Sequence, residues 1–316
     1  MKVVVTGASG FVGNATCARL VTQGMDVIGT VRHLPVRPLP GVDYRIVADV
    51  SESTEWDEVL KGIDTVVHCA ARVHVMRETA ADPLVVFRAA NVAGTEQLAR
   101  QAATAGVRRF VFMSSVKVNG EGGLVAYRET DLPAPQDSYG ISKYEAELGL
   151  RRSAAETGMD VVIVRSPLIY GPGVKANFQA LMRVLLRGIP LPLGAIHNRR
   201  SLVALDNVVD LMVACIRHPA AANETFLVSD GEDLSTTELI RRLARAMGCT
   251  ARLIPIPSTM LMVVATLLGK REVARRLCGT LQVSITKVRE VLGWTPPVSV
   301  DEELRRTAIH YLQQQA

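Results

Sequence analysis

The segment Thr6-Gly7-Ala8-Ser9-Gly10-Phe11-Val12-Gly13 joins a strand-like run, Val3–Thr6, to a helical pattern, Phe11–Gln23. Glycines at intervals of three let a backbone turn tightly and approach a pyrophosphate closely. The helix that follows presents unpaired N–H groups and the positive end of its dipole to such an anion. Because a strand precedes this loop and a helix follows it, the sequence predicts a dinucleotide-binding unit here.

Strand-like and helix-like segments alternate through the first half of the chain. The apolar, β-branched runs lie at Val3–Thr6, Val27–Val31, Tyr44–Val47, Thr65–His68, Phe110–Met113 and Val161–Arg165. Helical patterns between them cover Phe11–Gln23, Asp82–Ala105 and Tyr139–Thr157. This alternation predicts an α/β fold, a Rossmann-type doubly wound parallel sheet whose ligands bind at the carboxyl ends of the strands.

The pattern changes after about residue 166, where prolines interrupt the chain and helical patterns then dominate. One more strand of the sheet is expected at Thr225–Ser229, and a last helix at Val300–Gln313. We therefore expect a smaller, mostly helical C-terminal substrate domain that is interleaved with the first. The dinucleotide-binding domain would comprise residues 1–166 plus about 201–230, and the substrate domain about 167–200 plus 231–316.

The composition is that of an ordinary globular protein. Of 316 residues, 48% are hydrophobic and 21% are charged, which excludes a disordered chain. A net charge of +5 with 4% aromatic residues does not indicate nucleic-acid binding. The small positive excess does suit an anionic ligand.

The cysteines and the apolar stretches bear on compartment and membrane contact. Five widely spread cysteines without a CxxC pair argue against disulfides and zinc and favour a reducing cytoplasm. No His, Cys or Asp cluster has ligand spacing, so we expect no metal. Neither end shows a targeting signal, and the most apolar stretch, Thr259 to Leu268, is far below the ~20 residues that cross a bilayer. We expect a cytoplasmic protein with no membrane span, in which this stretch is a buried or interface helix. The alternative for this stretch is a contact with a membrane surface.

A second motif carries acid–base chemistry. Tyr139 and Lys143 are four residues apart, so they share one face of a helix, and Ser115 ends a predicted strand. A lysine ammonium near a phenol favours the phenolate, so we expect Lys143 to lower the pKa of Tyr139 and make it a general acid/base. A serine hydroxyl can bind the substrate oxygen that gains or loses the proton. The predicted catalytic residues are Ser115, Tyr139 and Lys143.

With these motifs the chain resembles the extended short-chain dehydrogenase/reductase superfamily, in its nucleotide-sugar branch of NAD-dependent epimerases, dehydratases and reductases. Further matching segments are Asp49-Val50, His68-Cys69-Ala70-Ala71, Asn91 and Arg165-Ser166-Pro167-Leu168-Ile169-Tyr170-Gly171-Pro172-Gly173. The resemblance implies cofactor contacts from Gly7, Gly10, Phe11, Val12, Gly13, Arg32, Asp49, Val50, Ala70, Ala71, Asn91, Tyr139, Lys143 and Pro167.

The resemblance also implies a substrate, a UDP-linked sugar. Lys175-Ala176-Asn177-Phe178 is similar to a segment whose asparagine holds the diphosphate, and His197-Asn198-Arg199-Arg200-Ser201 to one whose arginine grips it. Arginine suits this role because its planar fork donates two hydrogen bonds to phosphate oxygens. The implied substrate-binding residues are Ser115, Lys117, Asn177, Arg199 and Arg200. His74 and Met76, in the loop after the fourth strand, either touch the sugar or have a plain loop role.

The resemblance leaves the reaction open. Two segments look most like those of family reductases in surface-polysaccharide precursor synthesis, namely Val116-Lys117-Val118-Asn119-Gly120 and Gly173-Val174-Lys175-Ala176-Asn177-Phe178. The expected reaction is therefore reduction at carbon 4 of a UDP-4-keto-6-deoxy-N-acetylhexosamine. The alternatives are a UDP-hexose or UDP-N-acetylhexosamine 4-epimerase and a non-catalytic dinucleotide-sensing protein. A 4,6-dehydratase is not expected, because the family's dehydratases carry an acidic pair where this chain has Val116 and Lys117.

The end of the second strand bears on the cofactor. NAD-binding members carry an acidic residue there that binds the ribose hydroxyls, whereas this chain reads Gly29-Thr30-Val31-Arg32-His33. Arg32 is placed to pair with a 2′-phosphate, which favours NADP(H); NAD(H) is the alternative. A homodimer is a further possibility that the sequence leaves open.

Overall fold

The computed structural model describes residues 1–73 and 82–315. Within them, seven parallel strands form the main sheet in the order β3-β2-β1-β4-β5-β6-β9. These strands are β1 (Lys2–Thr6), β2 (Asp26–Val31), β3 (Val42–Ile46), β4 (Thr65–His68), β5 (Arg109–Ser115), β6 (Asp160–Ser166) and β9 (Thr225–Leu227). The order reverses between β1 and β4, so the carboxyl ends of these strands border a crevice.

Helices cover both faces of this sheet, as a doubly wound fold requires. One face packs on α1 (Phe11–Thr22), α7 (Leu205–Arg217) and α11 (Thr286–Leu292). The other packs on α2 (Asp57–Leu60), α4 (Gly94–Thr104) and α5 (Ser138–Thr157), while α3 (Pro83–Arg88) lies beside α5. The central strands are buried on both sides, which is why they read as continuous runs of valine and isoleucine rather than as alternating patterns. The Rossmann-type fold is confirmed.

Local signals set the bounds of the long helix α5. The side chain of Asp137 accepts a hydrogen bond from the backbone N–H of Gly140 at its start. Gly158 ends it with a φ of +75°, a left-handed conformation that glycine adopts without strain. The structure differs from the single helix predicted over Asp82–Ala105, because α3 and α4 are joined there by a π-helical turn over Ala89–Ala93.

The rest of the chain forms a smaller, mostly helical layer around a three-stranded sheet of order β10-β8-β7. Its strands are β7 (Leu168–Tyr170), β8 (Arg200–Ala204) and β10 (Asp233–Leu234). Its helices are α6 (Ala176–Leu186), α8 (Thr236–Ala246), α9 (Ser258–Leu267), α10 (Arg271–Cys278) and α12 (Val300–Gln313). Strands of the two sheets alternate along the chain, as the interleaved arrangement predicts. The domain boundaries themselves stay a prediction.

Two further observations concern membranes and metals. Among the described residues, no helix combines the length and the apolar character needed to cross a bilayer. Residues 1–73 and 82–315 also hold no cluster of His, Cys, Asp and Glu that could bind a metal ion. The expectation that the apolar stretch Thr259 to Leu268 is a buried helix is wrong, because α9 contains no buried residue in this structure. The other expectation, an interface helix, stays a prediction.

Candidate active site

A cavity of about 670 Å³ lies at the carboxyl ends of β1, β2 and β4. Predicted cofactor residues that line it are Gly7, Gly10, Arg32, Asp49, Val50, Ala70 and Ala71. The other predicted cofactor residues are not part of this lining. Phe11, Val12 and Gly13 lie in the first turn of α1. The remaining ones are Asn91, Tyr139, Lys143 and Pro167. The lining also includes Ser9, Ser51 and Arg72, which the sequence analysis did not single out; each directly adjoins a residue that it did.

The glycine loop is shaped for close backbone approach. Gly7 has a φ of +67°, and a Cβ there would lie 2.9 Å from the backbone nitrogen of Ala70. A Cβ on Gly13 would lie 2.2 Å from the carbonyl oxygen of Gly7, so only glycine lets α1 start this near the loop. At the start of α1, Gly10 provides no side-chain cap, and the first turn has no acidic residue. The unpaired backbone N–H groups at the start of α1 suit a pyrophosphate, so the residues present fit a dinucleotide.

A buried chain of hydrogen bonds ties the strand ends together beside the cavity. The hydroxyl of Thr6 accepts from the backbone N–H of Ala70 at 3.1 Å and lies 2.7 Å from Nδ1 of His68. Nε2 of His68 lies 3.1 Å from the hydroxyl of Thr95, which donates to the carbonyl of Asn91. Burial lowers the pKa of His68 to about 3, so its imidazole is neutral and structural rather than a proton carrier.

Asn91 lies in the π-helical turn, a feature often found at functional sites. Its side-chain oxygen accepts from the backbone N–H of Arg72 at 2.8 Å, and its amide donates to the carbonyl of Arg72 at 3.0 Å. The same amide donates to the hydroxyl of Ser142 at 3.0 Å. Asn91 therefore connects the wall of the cavity to α5, the helix that carries Tyr139 and Lys143.

The three predicted catalytic residues lie at the junction of β5 and α5. Ser115 ends β5, and its hydroxyl accepts from the backbone N–H of Lys117 at 3.3 Å. Tyr139 lies in the first turn of α5, and its ring meets Phe87 edge-on, with 6.2 Å between the centroids. Lys143 lies one turn later and is buried. The fold thus brings a hydroxyl, a phenol and an amine to the carboxyl end of one central strand.

The expectation that Lys143 lowers the pKa of Tyr139 is wrong for the protein by itself. Burial raises the pKa of Tyr139 above its usual value of 10.0, and the charge of Asp137 raises it further. The Nζ of Lys143 donates to the carbonyl of Met113 at 2.8 Å and lies 4.3 Å from the ring centroid of Phe112. Burial also lowers the pKa of Lys143 itself to about 8. Tyr139 therefore holds its proton in the free protein.

The predicted substrate residues have different surroundings. Lys117 forms ion pairs with Asp137 and with Glu121, the latter at 3.1 Å. Arg200 donates from Nη1 to the carbonyls of Arg276 at 2.9 Å and Gly279 at 3.1 Å. Asn177, in the first turn of α6, and Arg199, just before β8, are exposed. Their phosphate contacts stay a prediction, and His74 and Met76 lie outside the described residues.

A buried ion pair behind the predicted catalytic residues was not anticipated. Arg165 on β6 donates to both carboxylate oxygens of Glu147 on α5, at 2.9 and 2.6 Å. The hydroxyl of Ser114 donates to Glu147 at 2.6 Å, and Nη1 of Arg165 donates to the side-chain oxygen of Asn119 at 3.1 Å. Glu147 is four residues after Lys143, so the i, i+4 spacing that identified Tyr139 and Lys143 could have been extended to it.

The fold, the glycine loop and the serine–tyrosine–lysine arrangement together define an extended short-chain dehydrogenase/reductase. The model of the NAD dependent epimerase/dehydratase family matches residues 3–229, and the chain belongs to this family. It is an enzyme of the nucleotide-sugar epimerase/dehydratase type, as the sequence predicted.

Individual relatives are similar over nearly the whole chain. A UDP-glucose 4-epimerase of Vibrio cholerae is 47% identical over 99% of this chain and 96% of its own length. An N-acetyl-α-D-glucosaminyl-diphospho-ditrans,octacis-undecaprenol 4-epimerase of Escherichia coli O157:H7 is 26% identical over 97% and 94%. The solved structure of MoeE5 in complex with UDP-glucose and NAD covers 100% of both chains at 25% identity, with a TM-score of 0.80. These comparisons favour the 4-epimerase alternative over the 4-ketoreductase that the sequence analysis put first.

Proposed function

We propose that the protein is a UDP-hexose or UDP-N-acetylhexosamine 4-epimerase that uses NAD. The observation that carries the proposal is the placement of Tyr139 and Lys143 on one turn of α5, at the end of the strand that Ser115 terminates. The 47% identity to a UDP-glucose 4-epimerase, over nearly the whole chain, favours epimerisation over net reduction. The NAD in the MoeE5 structure supports NAD as the cofactor.

Ser115 and Tyr139 have separate roles in the proposed reaction. A bound NAD supplies a reversible hydride acceptor for carbon 4 of the sugar. The hydroxyl of Ser115 binds the oxygen on carbon 4, and Tyr139 exchanges a proton with that oxygen. Since burial keeps Tyr139 protonated in the free protein, its use as a base requires an added positive charge.

Separate residues would bind the dinucleotide and the UDP-sugar. The uncapped start of α1 and the glycine loop would hold the pyrophosphate of the dinucleotide. Lys143, fixed by the carbonyl of Met113, would hold the nicotinamide ribose. Asn177 and Arg199, both exposed, would reach the diphosphate of the UDP-sugar.

One observation favours the second candidate, a UDP-4-keto-6-deoxy-N-acetylhexosamine 4-reductase that uses NADPH. Arg32 lines the cavity directly after β2, at the position where an acidic residue would otherwise repel a 2′-phosphate. Net reduction consumes a reduced cofactor, whereas an epimerase regenerates its own. Cofactor preference therefore separates the two reactions.

The test supplies purified protein with UDP-glucose and with UDP-N-acetylglucosamine, and follows the sugars by NMR. Conversion to the 4-epimer without net change of added NAD supports the proposal. In a parallel reaction, the UDP-4-keto-6-deoxy-N-acetylhexosamine is supplied with NADPH or NADH. Stoichiometric oxidation of the reduced cofactor there, with no epimerisation of either UDP-sugar, contradicts the proposal and supports the reductase.

A further inference from the structure

Helices α9 and α10 form a hairpin with an exposed apolar face. No residue of α9 is buried, and Met260, Val263 and Leu267 are 56%, 60% and 82% exposed. Other large apolar side chains exposed on the hairpin are Val264, Leu268, Val273 and Leu277. Isolated apolar side chains are common on protein surfaces, but a contiguous cluster of this kind marks an interaction surface.

The hairpin also carries cations. Lys270 lies in the turn between the helices, and α10 carries Arg271, Arg275 and Arg276. The hairpin has one acidic residue, Glu272, which forms an ion pair with Arg275 at 2.8 Å. In the part of the chain that the structure describes, the side chains of Lys270, Arg271 and Arg276 form no ion pair. The hairpin therefore presents apolar side chains together with unneutralised positive charge.

The base of the hairpin is firmly attached to the rest of the molecule. Asn198 donates to the carbonyls of Leu277 at 3.2 Å and Gly279 at 2.8 Å, and the hydroxyl of Thr236 donates to Leu277 at 2.6 Å. Arg200 donates to the carbonyl of Arg276. Because these bonds fix the end of α10, the fold itself holds the apolar face outward.

We propose that the α9–α10 hairpin is a docking surface for anionic phospholipid bilayers. An interfacial helix inserts its apolar side chains at the level of the headgroups, while neighbouring cations pair with anionic lipids. Ten residues of helix extend about 15 Å, which suits lying in the interface and not crossing the bilayer.

Charge favours this occupant over a second copy of the chain. A two-fold contact would place the same surface on both sides, so each copy would add its cations to one interface. Each copy offers only Glu272 in compensation, and Arg275 already engages it. An anionic bilayer satisfies both the apolar and the cationic side chains. This inference stands independently of the reaction proposed above.

The test is cosedimentation of the full chain with vesicles of phosphatidylcholine containing phosphatidylglycerol, beside vesicles of phosphatidylcholine alone. Binding is expected with the anionic vesicles, weaker with the neutral ones, and reduced at high salt. Lys270→Gln with Arg271→Gln should lower the partition coefficient about fivefold per charge, or about 25-fold together. Val263→Asp with Leu267→Asp should lower it by on the order of tenfold or more.

The controls carry single substitutions of the same two kinds elsewhere on the surface. Val36, which is 99% exposed, is changed to Asp, and the exposed Arg305 of α12 is changed to Gln. Both should bind vesicles like the wild type, and unchanged thermal unfolding shows that every variant is folded.

Three outcomes overturn the proposal. The first is equal binding of anionic vesicles by the hairpin variants and the controls, and the second is no binding to anionic vesicles at all. The third is self-association in sedimentation velocity that Val263→Asp with Leu267→Asp abolishes, without vesicle binding. That result would make the hairpin a contact between copies of the chain.

Discussion

Arg165 on β6 and Glu147 on α5 form a fully buried ion pair, with Nη2 and Oε2 2.6 Å apart. The pair fastens the helix that bears Tyr139 and Lys143 to the sheet, directly behind the strand end that bears Ser114 and Ser115. Glu147 also accepts the hydroxyl of Ser114, so one carboxylate holds helix and strand in register. The geometry of the predicted catalytic residues thus depends on a pair that need not touch substrate.

Glu147→Gln should lower the free energy of unfolding by about 3–5 kcal/mol, because it leaves the buried Arg165 without a compensating charge. Urea unfolding measures this difference. The control is Arg152→Ala, which breaks an exposed 2.8 Å pair with Glu96 and should cost about 1 kcal/mol or less. A loss for Glu147→Gln no larger than the control's would contradict the role given to the pair.

Tyr139→Phe should lower turnover by about 100- to 10,000-fold, because it removes the proton-transferring hydroxyl and keeps the ring that packs on Phe87. Dinucleotide binding, measured by calorimetry, should stay nearly unchanged. Tyr144→Phe, on the same helix, is the matched control and should retain activity. If Tyr139→Phe keeps more than a tenth of the wild-type rate, Tyr139 is not the proton carrier.

Arg32→Ala tests the contact that the cavity offers to a 2′-phosphate. If Arg32 binds that phosphate, the substitution should weaken NADPH binding by about 1.5–3 kcal/mol, the scale of hydrogen bonds to charged groups, and leave NADH binding unchanged. Dissociation constants of both cofactors for wild type, Arg32→Ala and the nearby Arg37→Ala measure the effect. Wild-type binding of NADH as tight as NADPH, with no change in Arg32→Ala, would show that Arg32 does not select the cofactor.

The protein should not dehydrate UDP- or dTDP-hexoses to 4-keto-6-deoxy sugars. Val116 is buried and cannot transfer a proton, and the ammonium of Lys117 is engaged by Asp137 and Glu121. Neither residue can supply the acid and base that the elimination of water requires. Mass spectrometry of the sugar products checks this, and steady accumulation of a 4-keto-6-deoxy sugar would refute it.

Glu303→Gln should make the stability of the protein less dependent on pH. Burial raises the pKa of Glu303 to about 7 from an ordinary 4.5, with repulsion from Asp206 adding to burial and Arg306 opposing it. Below about pH 4.5 such a carboxyl is protonated in both the folded and the unfolded state, so its raised pKa does not lower the free energy of unfolding. The destabilisation of the folded state then grows as the pH rises to about 7.

Thermal unfolding of wild type and Glu303→Gln across this range provides the measurement. The glutamine variant should be more stable above pH 7, by about 3 kcal/mol, and should match the wild type near pH 4.5. A stability difference between the two that does not vary with pH would argue against a raised pKa at this position.

Local patterns predicted most of the fold and the placement of Ser115, Tyr139 and Lys143 at one end of β5 and α5. The loop from Thr6 to Gly13 and the spacing of Tyr139 and Lys143 depend on residues close in sequence, so the sequence predicts them directly. The small sheet escaped prediction, because β7 and β10 have three and two residues, too few to show a period.

The pairing of Glu147 with Arg165 was not predicted from the sequence for a different reason. The two residues are on different elements, and their burial is decided by the packing of α5 against β6. The same limit applies to the pKa of Tyr139. Spacing shows that Lys143 is near, but not that its ammonium is turned toward Met113 and Phe112.

The last strand of the main sheet, β9, returns to pair with β6 after the chain has built β7, α6, β8 and α7. A chain cut after residue 166 would therefore leave β6 as an unprotected edge strand. Its Val161, Val162, Ile163 and Val164 are buried in the complete fold, and an apolar edge of this kind recruits other chains. The dinucleotide-binding half consequently cannot be separated by a single cut without becoming prone to aggregation.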